Sequence, residues 1–181
     1  MSTATRLLIV PGLGNSGPEH WQSRWEAEEP GFRRVEQRDW ETPVCRDWVV
    51  RLEEAVVEAG PEVVIAAHSL GCATVAHWAL QSKRTVRGAF LVAPSDVEAP
   101  WYREVGLTGF DPMPLQRLPF SSLVVASSND PYLSLERAGE FARAWGSRFV
   151  DVGEAGHLNT ASGHGPWPEG RRLLEEWLRE L

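Results

Sequence analysis

A serine, an aspartate and a histidine follow one another along the chain in an order that suits nucleophilic catalysis: Ser69, Asp130 and His157. A serine hydroxyl is a weak nucleophile unless a base takes its proton, and a histidine base needs an acid that fixes its tautomer. The three residue types therefore predict covalent catalysis at Ser69, with His157 as the base and Asp130 as the orienting acid.

The serine lies where an apolar run passes directly into a segment of helical periodicity. Residues 67–71 read AHSLG, which is close to the G-x-S-x-G turn between strand and helix called a nucleophile elbow. This turn strains the serine backbone and brings other segments close, so its flanking positions need small residues. Gly71 meets that requirement fully and Ala67 nearly does, although glycine is usual where Ala67 stands. The alternative is that Ser69 only caps the following helix.

The candidate acid and base each follow a predicted strand. The carboxyl ends of parallel strands meet at one edge of a sheet, so Asp130 and His157 are expected there. Gly153 and Gly156 give the histidine loop the freedom to turn the imidazole inward. The order Ser, Asp, His is that of the α/β-hydrolase fold. Simpler interpretations remain, because an aspartate before Pro131 often begins a turn and His157 could be a surface histidine.

Two backbone amides are candidates for an oxyanion hole, which needs N–H groups aimed at developing negative charge. Leu70 directly follows the nucleophile. Leu13 lies between Gly12 and Gly14 in the loop after the first predicted strand, and these glycines let its amide turn inward. An ordinary tight turn is the alternative for this loop.

The same glycine-rich loop also matches a nucleotide-binding pattern. Residues 12–17 read GLGNSG, a GxGxxG after a strand and before a helix, and Asp39 follows a second candidate strand. Such a segment can hold a dinucleotide pyrophosphate at a helix N-terminus. Pro18 after the last glycine and the loose spacing to Asp39 disfavour this interpretation, which also leaves the Ser, Asp and His set without a role. We therefore expect no bound cofactor.

Other residues near these motifs are reserves or supporting groups. Asp96, after another predicted strand, is the reserve acid, and His164 is the reserve base. His68 adjoins the nucleophile, but adjacent side chains diverge at a sharp turn, so we expect it to pack beside the site. Most of the nine tryptophans should fill the core. Trp21 and Trp101 are the candidates for lining an acyl pocket.

The elements that must position these residues alternate along the chain. Short apolar runs are separated by longer segments of helical period, the pattern of a mostly parallel sheet with helices on both faces. Residues 96–118, rich in proline and glycine, stay unassigned and are a candidate roof over the site. The predicted strands are 6–10, 33–38, 62–67, 86–93, 122–127 and 148–152, and the predicted helices are 18–28, 43–59, 70–81, 135–145 and 169–181.

Length and composition restrict the class of protein. With 43% hydrophobic and 24% charged residues, residues 1–181 suit a single domain. A net charge of −7 argues against nucleic-acid and membrane partners. The apolar run 7–10 is too short for a signal peptide or a membrane span, so we expect a cytoplasmic protein. Cys45 and Cys72 lack metal-binding spacing and are expected to be buried free thiols, with no disulfide and no metal.

Taken together, the motifs resemble those of one protein family. They are VPGLGNSG with HWQ near the amino end, AHSLG around Ser69, SSNDPY around Asp130, and GHLN around His157 followed by SG and GPWP. In these segments the chain is similar to the small serine hydrolases grouped with retinoblastoma-binding protein nine, and especially to their bacterial YdeN-like members. The similarity extends over nearly the whole chain.

The resemblance implies a compact α/β-hydrolase with a minimal cap or none, in which Ser69, Asp130 and His157 form the triad. YdeN-like relatives accept alanine at the position of Ala67. It further implies a carboxylesterase-like enzyme that cleaves small esters or amides through an acyl-enzyme, without a cofactor. The alternative is a noncatalytic binding protein that keeps the fold. The protein partner in the eukaryotic relatives' name does not transfer, because similarity of fold alone does not carry function.

Overall fold

A six-stranded sheet, in which every pair of neighbouring strands runs parallel, organises residues 5–181, the part of the chain that the computed structural model describes. The amino-terminal stretch considered above as a leader lies partly outside this range. The mostly parallel sheet predicted from the alternating pattern is confirmed. The strands are β1 Leu7–Val10, β2 Phe32–Arg34, β3 Val64–His68, β4 Gly88–Val92, β5 Ser121–Ala126 and β6 Arg148–Asp151.

Helices alternate with these strands, as the periodicity predicts. The first helix begins at Trp21 rather than at residue 18, because His20 caps it by accepting a hydrogen bond from the Gln22 amide at its Nδ1 atom. The loop between the first strand and the first helix is therefore longer than predicted. The helices are α1 Trp21–Glu28, α2 Cys45–Ala59, α3 Leu70–Gln81, α4 Pro100–Val105, α5 Leu135–Trp145 and α6 Pro168–Leu178.

The strand order creates a crevice beside the nucleophile motif. The sheet runs β2-β1-β3-β4-β5-β6, so the chain moves to one side after β1 and to the other side from β3 onward. The helices that follow these two central strands also lie on opposite faces, since α1 packs in one core cluster and α3 in the other. Loops leaving adjacent strands in opposite directions leave a gap at the carboxyl edge, where ligands bind in open α/β sheets.

Two apolar cores cover the two faces of the sheet. Alternate residues of β3 point to opposite sides, with Val64 and Ala66 in the core under α1 and α6, and Ile65 and Ala67 in the core under α2, α3 and α5. All five β3 residues are buried. The continuous apolar run at β3 is therefore explained by helices that cover both faces of the sheet at this strand.

The unassigned segment 96–118 contains α4, a helix of six residues that the sequence analysis did not predict. Pro100 stands in its first turn, and Gly106 ends it in a left-handed conformation with φ of 75°. The buried Tyr102 hydroxyl accepts a hydrogen bond from the Phe110 amide, which ties the segment back to the core. Such a short element adds only a small cover to the carboxyl edge, in keeping with a minimal cap.

Both cysteines are buried free thiols, as predicted. Burial raises the pKa of the Cys45 thiol to about 12, and it raises that of Cys72 as well. Their thiols are therefore unreactive in the folded protein. In the part of the chain from residue 5 onward, no helix has the length and apolar composition that a membrane span requires.

At Gly71 the start of α3 packs closely against the backbone at the end of β1. A Cβ atom there would lie 2.3 Å from the Val10 carbonyl oxygen and 2.8 Å from that of Pro11. Both neighbours are backbone atoms, which cannot rotate away. We predict that Gly71→Ala lowers the free energy of unfolding by about 1–3 kcal/mol, measured by urea denaturation.

Gly17→Ala is the matched control, because a Cβ atom at Gly17 meets no atom within 4 Å. It should leave the unfolding free energy unchanged or slightly raised. Equal stability of the Gly71 and Gly17 variants would contradict the close-packing argument.

Candidate active site

Ser69 occupies the sharp turn between β3 and α3. Its backbone has φ of 57° and ψ of −123°, outside the regions that side chains other than glycine favour. Its hydroxyl makes no capping hydrogen bond to α3, so the interpretation of Ser69 as a simple helix cap is wrong. The strained turn instead lifts the hydroxyl away from the helix and toward the carboxyl edge of the sheet.

Three side chains that lie far apart in sequence meet at this edge. The Ser69 Oγ atom lies 2.8 Å from Nε2 of His157, and Nδ1 of His157 lies 3.0 Å and 2.9 Å from the two carboxylate oxygens of Asp130. The carboxylate only accepts hydrogen bonds, so Nδ1 carries the proton and Nε2 of the neutral ring is free to accept the Ser69 proton. The Asp130 side chain is fully enclosed and that of His157 is 8% exposed.

The loops that carry the aspartate and the histidine are tied to each other. Ser127 accepts a hydrogen bond from the Ala155 amide at 2.9 Å, and Asn129 accepts one from the Gly156 amide at 2.7 Å. Asp130 also accepts the Tyr132 amide at 2.9 Å, so the turn role considered for it coexists with its contact to the histidine. These bonds fix the distance between the two loops before any substrate arrives.

Two further histidines pack behind His157 in a row of tilted rings. The ring centroids of His20 and His68, and those of His68 and His157, are each 4.8 Å apart. His68 donates a hydrogen bond from Nε2 to the His157 carbonyl oxygen at 2.8 Å, a supporting role of the kind expected for it. Burial, with repulsion from Arg34 and His157, lowers the pKa of His20 to about 4, and burial lowers that of His68 far below its ordinary value. Both rings are neutral near pH 7.

The two candidate oxyanion amides flank the nucleophile. Leu70 is the first residue of α3, where an N–H has no partner inside the helix, and the Leu13 amide donates no hydrogen bond to any residue in the range 5–181. Gly12 brings the two segments together, since a Cβ atom there would lie 2.9 Å from Ser69 Cβ and 3.2 Å from the Leu70 nitrogen. The loop is anchored by Arg34, which donates a hydrogen bond to the Asn15 side chain at 2.6 Å.

A cavity of about 280 Å³ opens above Ser69. Trp101 is part of its wall together with Val105 and Leu107 of the segment 96–118, and its role in binding an acyl group stays a prediction. Trp21 is not part of the wall, and that expectation is wrong: it is fully buried in the core, and its indole N–H donates to the Leu158 carbonyl at 3.0 Å. The Trp21 side chain, in the first turn of α1, belongs to the core cluster under α6 and not to the crevice.

The reserve residues and the nucleotide motif have other roles. Asp96 forms an ion pair with Arg137 at 3.5 Å, and His164 contacts the Ser162 hydroxyl at 3.1 Å. Asp39 accepts hydrogen bonds from the Thr42 amide and hydroxyl in an exposed turn, so its carboxylate is satisfied locally. Within residues 5–181 no three His, Cys, Asp or Glu side chains cluster as metal ligands would.

Sequence reasoning missed Ser95, the residue whose hydroxyl contacts Ser69. Ser95, two positions after Ala93 at the end of β4, places its hydroxyl 2.7 Å from the Ser69 hydroxyl. It lines the cavity and is only 2% exposed. Its position after the carboxyl end of a predicted strand is the signal that could have identified it.

The fold and this arrangement define an α/β-hydrolase with a serine, a histidine and an aspartate in contact. A comparison with protein-family models matches residues 7–176 to the serine hydrolase family. The chain therefore belongs to the serine hydrolase family, as the motif resemblance predicted, and that family membership makes it a hydrolase.

Among solved structures, the chain is similar to a YdeN-like hydrolase from Pectobacterium atrosepticum, with 36% identity over 95% of this chain and 90% of that one, and a TM-score of 0.82. It is also similar to the ydeN gene product of Bacillus subtilis, with 19% identity, coverage of 97% and 99%, and a TM-score of 0.76. A thermophilic esterase from Thermogutta terrifontis shares the fold, with 16% identity, coverage of 98% and 90%, and a TM-score of 0.75. Curated protein sequences provide no significant match.

The lowered pKa of His20 makes stability depend on pH. The unfolded chain binds a proton at this residue near pH 6.5 and the folded protein only near pH 4, so the unfolding free energy falls as pH decreases through that window. The loss from His20 amounts to about 3 kcal/mol at pH 4.

We predict that His20→Asn, which replaces the capping Nδ1 atom with a side-chain oxygen that can also accept the Gln22 amide, reduces this pH dependence. Urea denaturation at several values between pH 7 and pH 4.5 measures it. Parallel stability curves for wild type and variant would rule out the assigned role of His20.

Proposed function

We propose that this protein is a serine hydrolase that cleaves small, uncharged carboxylic esters through an acyl-enzyme on Ser69. The observation that carries the proposal is the continuous hydrogen-bonded chain from Ser69 through His157 to the enclosed Asp130, with the serine open to a cavity. Each contact has the length that general-base activation of a serine requires, and a proton on Nδ1 of His157 gives the required donor directions.

The reaction follows from that chain of contacts. As the Ser69 oxygen attacks the substrate carbonyl carbon, its proton passes to Nε2 of His157, and Asp130 stabilises the imidazolium from the Nδ1 side. The amides of Leu13 and Leu70 donate to the carbonyl oxygen while it carries negative charge. His157 then protonates the leaving alcohol, and water later releases the acyl group by the reverse sequence of proton transfers.

The lining of the cavity supports uncharged substrates. Of the residues from 5 to 181, those that form its wall are polar or apolar, and none is Asp, Glu, Lys or Arg. A charged acyl group or leaving group would lose its hydration there without gaining an ionic partner. The volume of about 280 Å³ matches short or medium acyl chains. Amides of the same size fit the same geometry, with His157 protonating an amine instead of an alcohol.

We predict that a fluorophosphonate probe forms one adduct with the wild-type protein and none with Ser69→Ala, as measured by intact mass. Wild type should also hydrolyse short p-nitrophenyl esters, and Ser69→Ala should lose activity by at least about a thousandfold with an unchanged unfolding transition. The fold persists in the variant because the hydroxyl caps no helix.

The noncatalytic binding protein gives the opposite result in that experiment. A serine that is not activated would leave wild type unlabelled in spite of correct folding, and that outcome would overturn the proposal. Esterase activity that survives in Ser69→Ala would show that another residue is the nucleophile.

Gly12 provides a second prediction, aimed at the oxyanion hole. An added methyl group would press on Ser69 Cβ and lie beside the Leu70 amide, where the oxyanion must approach. We predict that Gly12→Ala lowers kcat for p-nitrophenyl acetate by about a hundredfold, comparable to the loss of one oxyanion donor. Gly17→Ala, in the same loop but with open space around the new atom, should leave kcat unchanged. Equal values of kcat in the two variants would contradict this placement of the oxyanion hole.

A further inference from the structure

The nucleophile has a second hydroxyl beside it. Ser95 Oγ lies 2.7 Å from Ser69 Oγ, on the opposite side of the site from the loop that carries Leu13, because β4 and β1 flank β3 on different sides. Among the residues that the structure describes, no other side-chain hydrogen bond involves the Ser95 hydroxyl. This enclosed polar group therefore has the nucleophile as its protein partner.

The backbone around Ser95 is built to hold it there. Ala93, two residues earlier, has φ of 45°, a left-handed value that is uncommon for a residue with a side chain. The Ser95 amide also donates to the carbonyl oxygen of Ser69 at 3.4 Å. Two strained positions, Ser69 and Ala93, thus bring the two hydroxyls together, and strain of this kind collects at functional sites.

The direction of the hydrogen bond follows from the neighbouring groups. Nδ1 of His157 donates to Asp130, so Nε2 of the neutral ring accepts from the Ser69 hydroxyl. With its one proton engaged, the Ser69 oxygen can only accept from Ser95. The Ser95 hydroxyl is therefore the donor in the resting site.

Acylation changes that arrangement. In the acyl-enzyme the Ser69 oxygen belongs to an ester and is a poor acceptor, so the Ser95 proton needs a new partner. Deacylation requires a water that enters this cavity and is activated by His157. We propose that Ser95 positions this hydrolytic water, an inference that rests on the proposed function of the same site.

Deacylation then proceeds through a tetrahedral intermediate. The water oxygen accepts the Ser95 hydrogen bond, its proton passes to Nε2 of His157, and a bond forms between the water oxygen and the acyl carbon. The tetrahedral intermediate then expels the Ser69 oxygen, which takes the proton back from His157, and a carboxylic acid leaves. Ser95 keeps its own proton throughout and returns to the Ser69 oxygen afterwards.

Pre-steady-state hydrolysis of p-nitrophenyl acetate separates the two half-reactions, because the burst reports acylation and the linear phase reports deacylation. We expect Ser95→Ala to keep the acylation rate constant within about twofold and to lower the deacylation rate constant by about three- to tenfold, the value of one neutral hydrogen bond. Intact mass spectrometry during turnover should then show a larger fraction of acetylated protein than in wild type.

Ser128→Ala is the matched control, since Ser128 is an exposed serine at the same edge of the sheet, and it should leave both rate constants unchanged. Slower acylation in Ser95→Ala, or an unchanged deacylation constant, would overturn the inference while leaving the proposed function intact. A wild-type protein that releases no p-nitrophenolate and takes up no fluorophosphonate would overturn both.

Discussion

The site depends on one backbone constraint, the close crossing of β1 and its loop over the turn between β3 and α3. Gly71 lets the start of α3 approach the Val10 carbonyl, and Gly12 lets the glycine-rich loop lie against Ser69. In that confined turn Ser69 takes a left-handed φ, which directs its hydroxyl outward. If Ser69 capped α3, its hydroxyl would be hydrogen-bonded to the helix backbone. The strained backbone conformation instead leaves the hydroxyl available to His157.

Burial and hydrogen-bond partners distinguish the three adjacent histidines. Within residues 5–181, His20 and His68 contact no carboxylate; both are enclosed and stay neutral, and each makes a structural hydrogen bond. His157 alone among them contacts a carboxylate on one nitrogen and a hydroxyl on the other. Neutral neighbours favour the role proposed for His157, because a base must gain and lose one proton in each half-reaction.

The sheet brings together residues from five separate loops. The connections after β1, β3, β4 and β5 supply the candidate oxyanion amide, the nucleophile, Ser95 and Asp130, and the loop after β6 adds His157. Since all six strands are parallel, these loops emerge at the same edge. Hydrogen bonds between the last two loops then set the spacing of acid and base.

The sequence by itself determined the alternation of strands and helices and the glycines of the elbow, because period and small residues are local properties of the chain. It also pointed to Ser69, Asp130 and His157, since their order and their places after strands follow from the same pattern. Only the tertiary structure decided that Trp21 faces the core and that α4 covers the edge, because helix orientation and short helices depend on packing. Ser95 belongs to this second group: a serine after a strand is common, and only its distance to Ser69, set by the strained Ala93, distinguishes it.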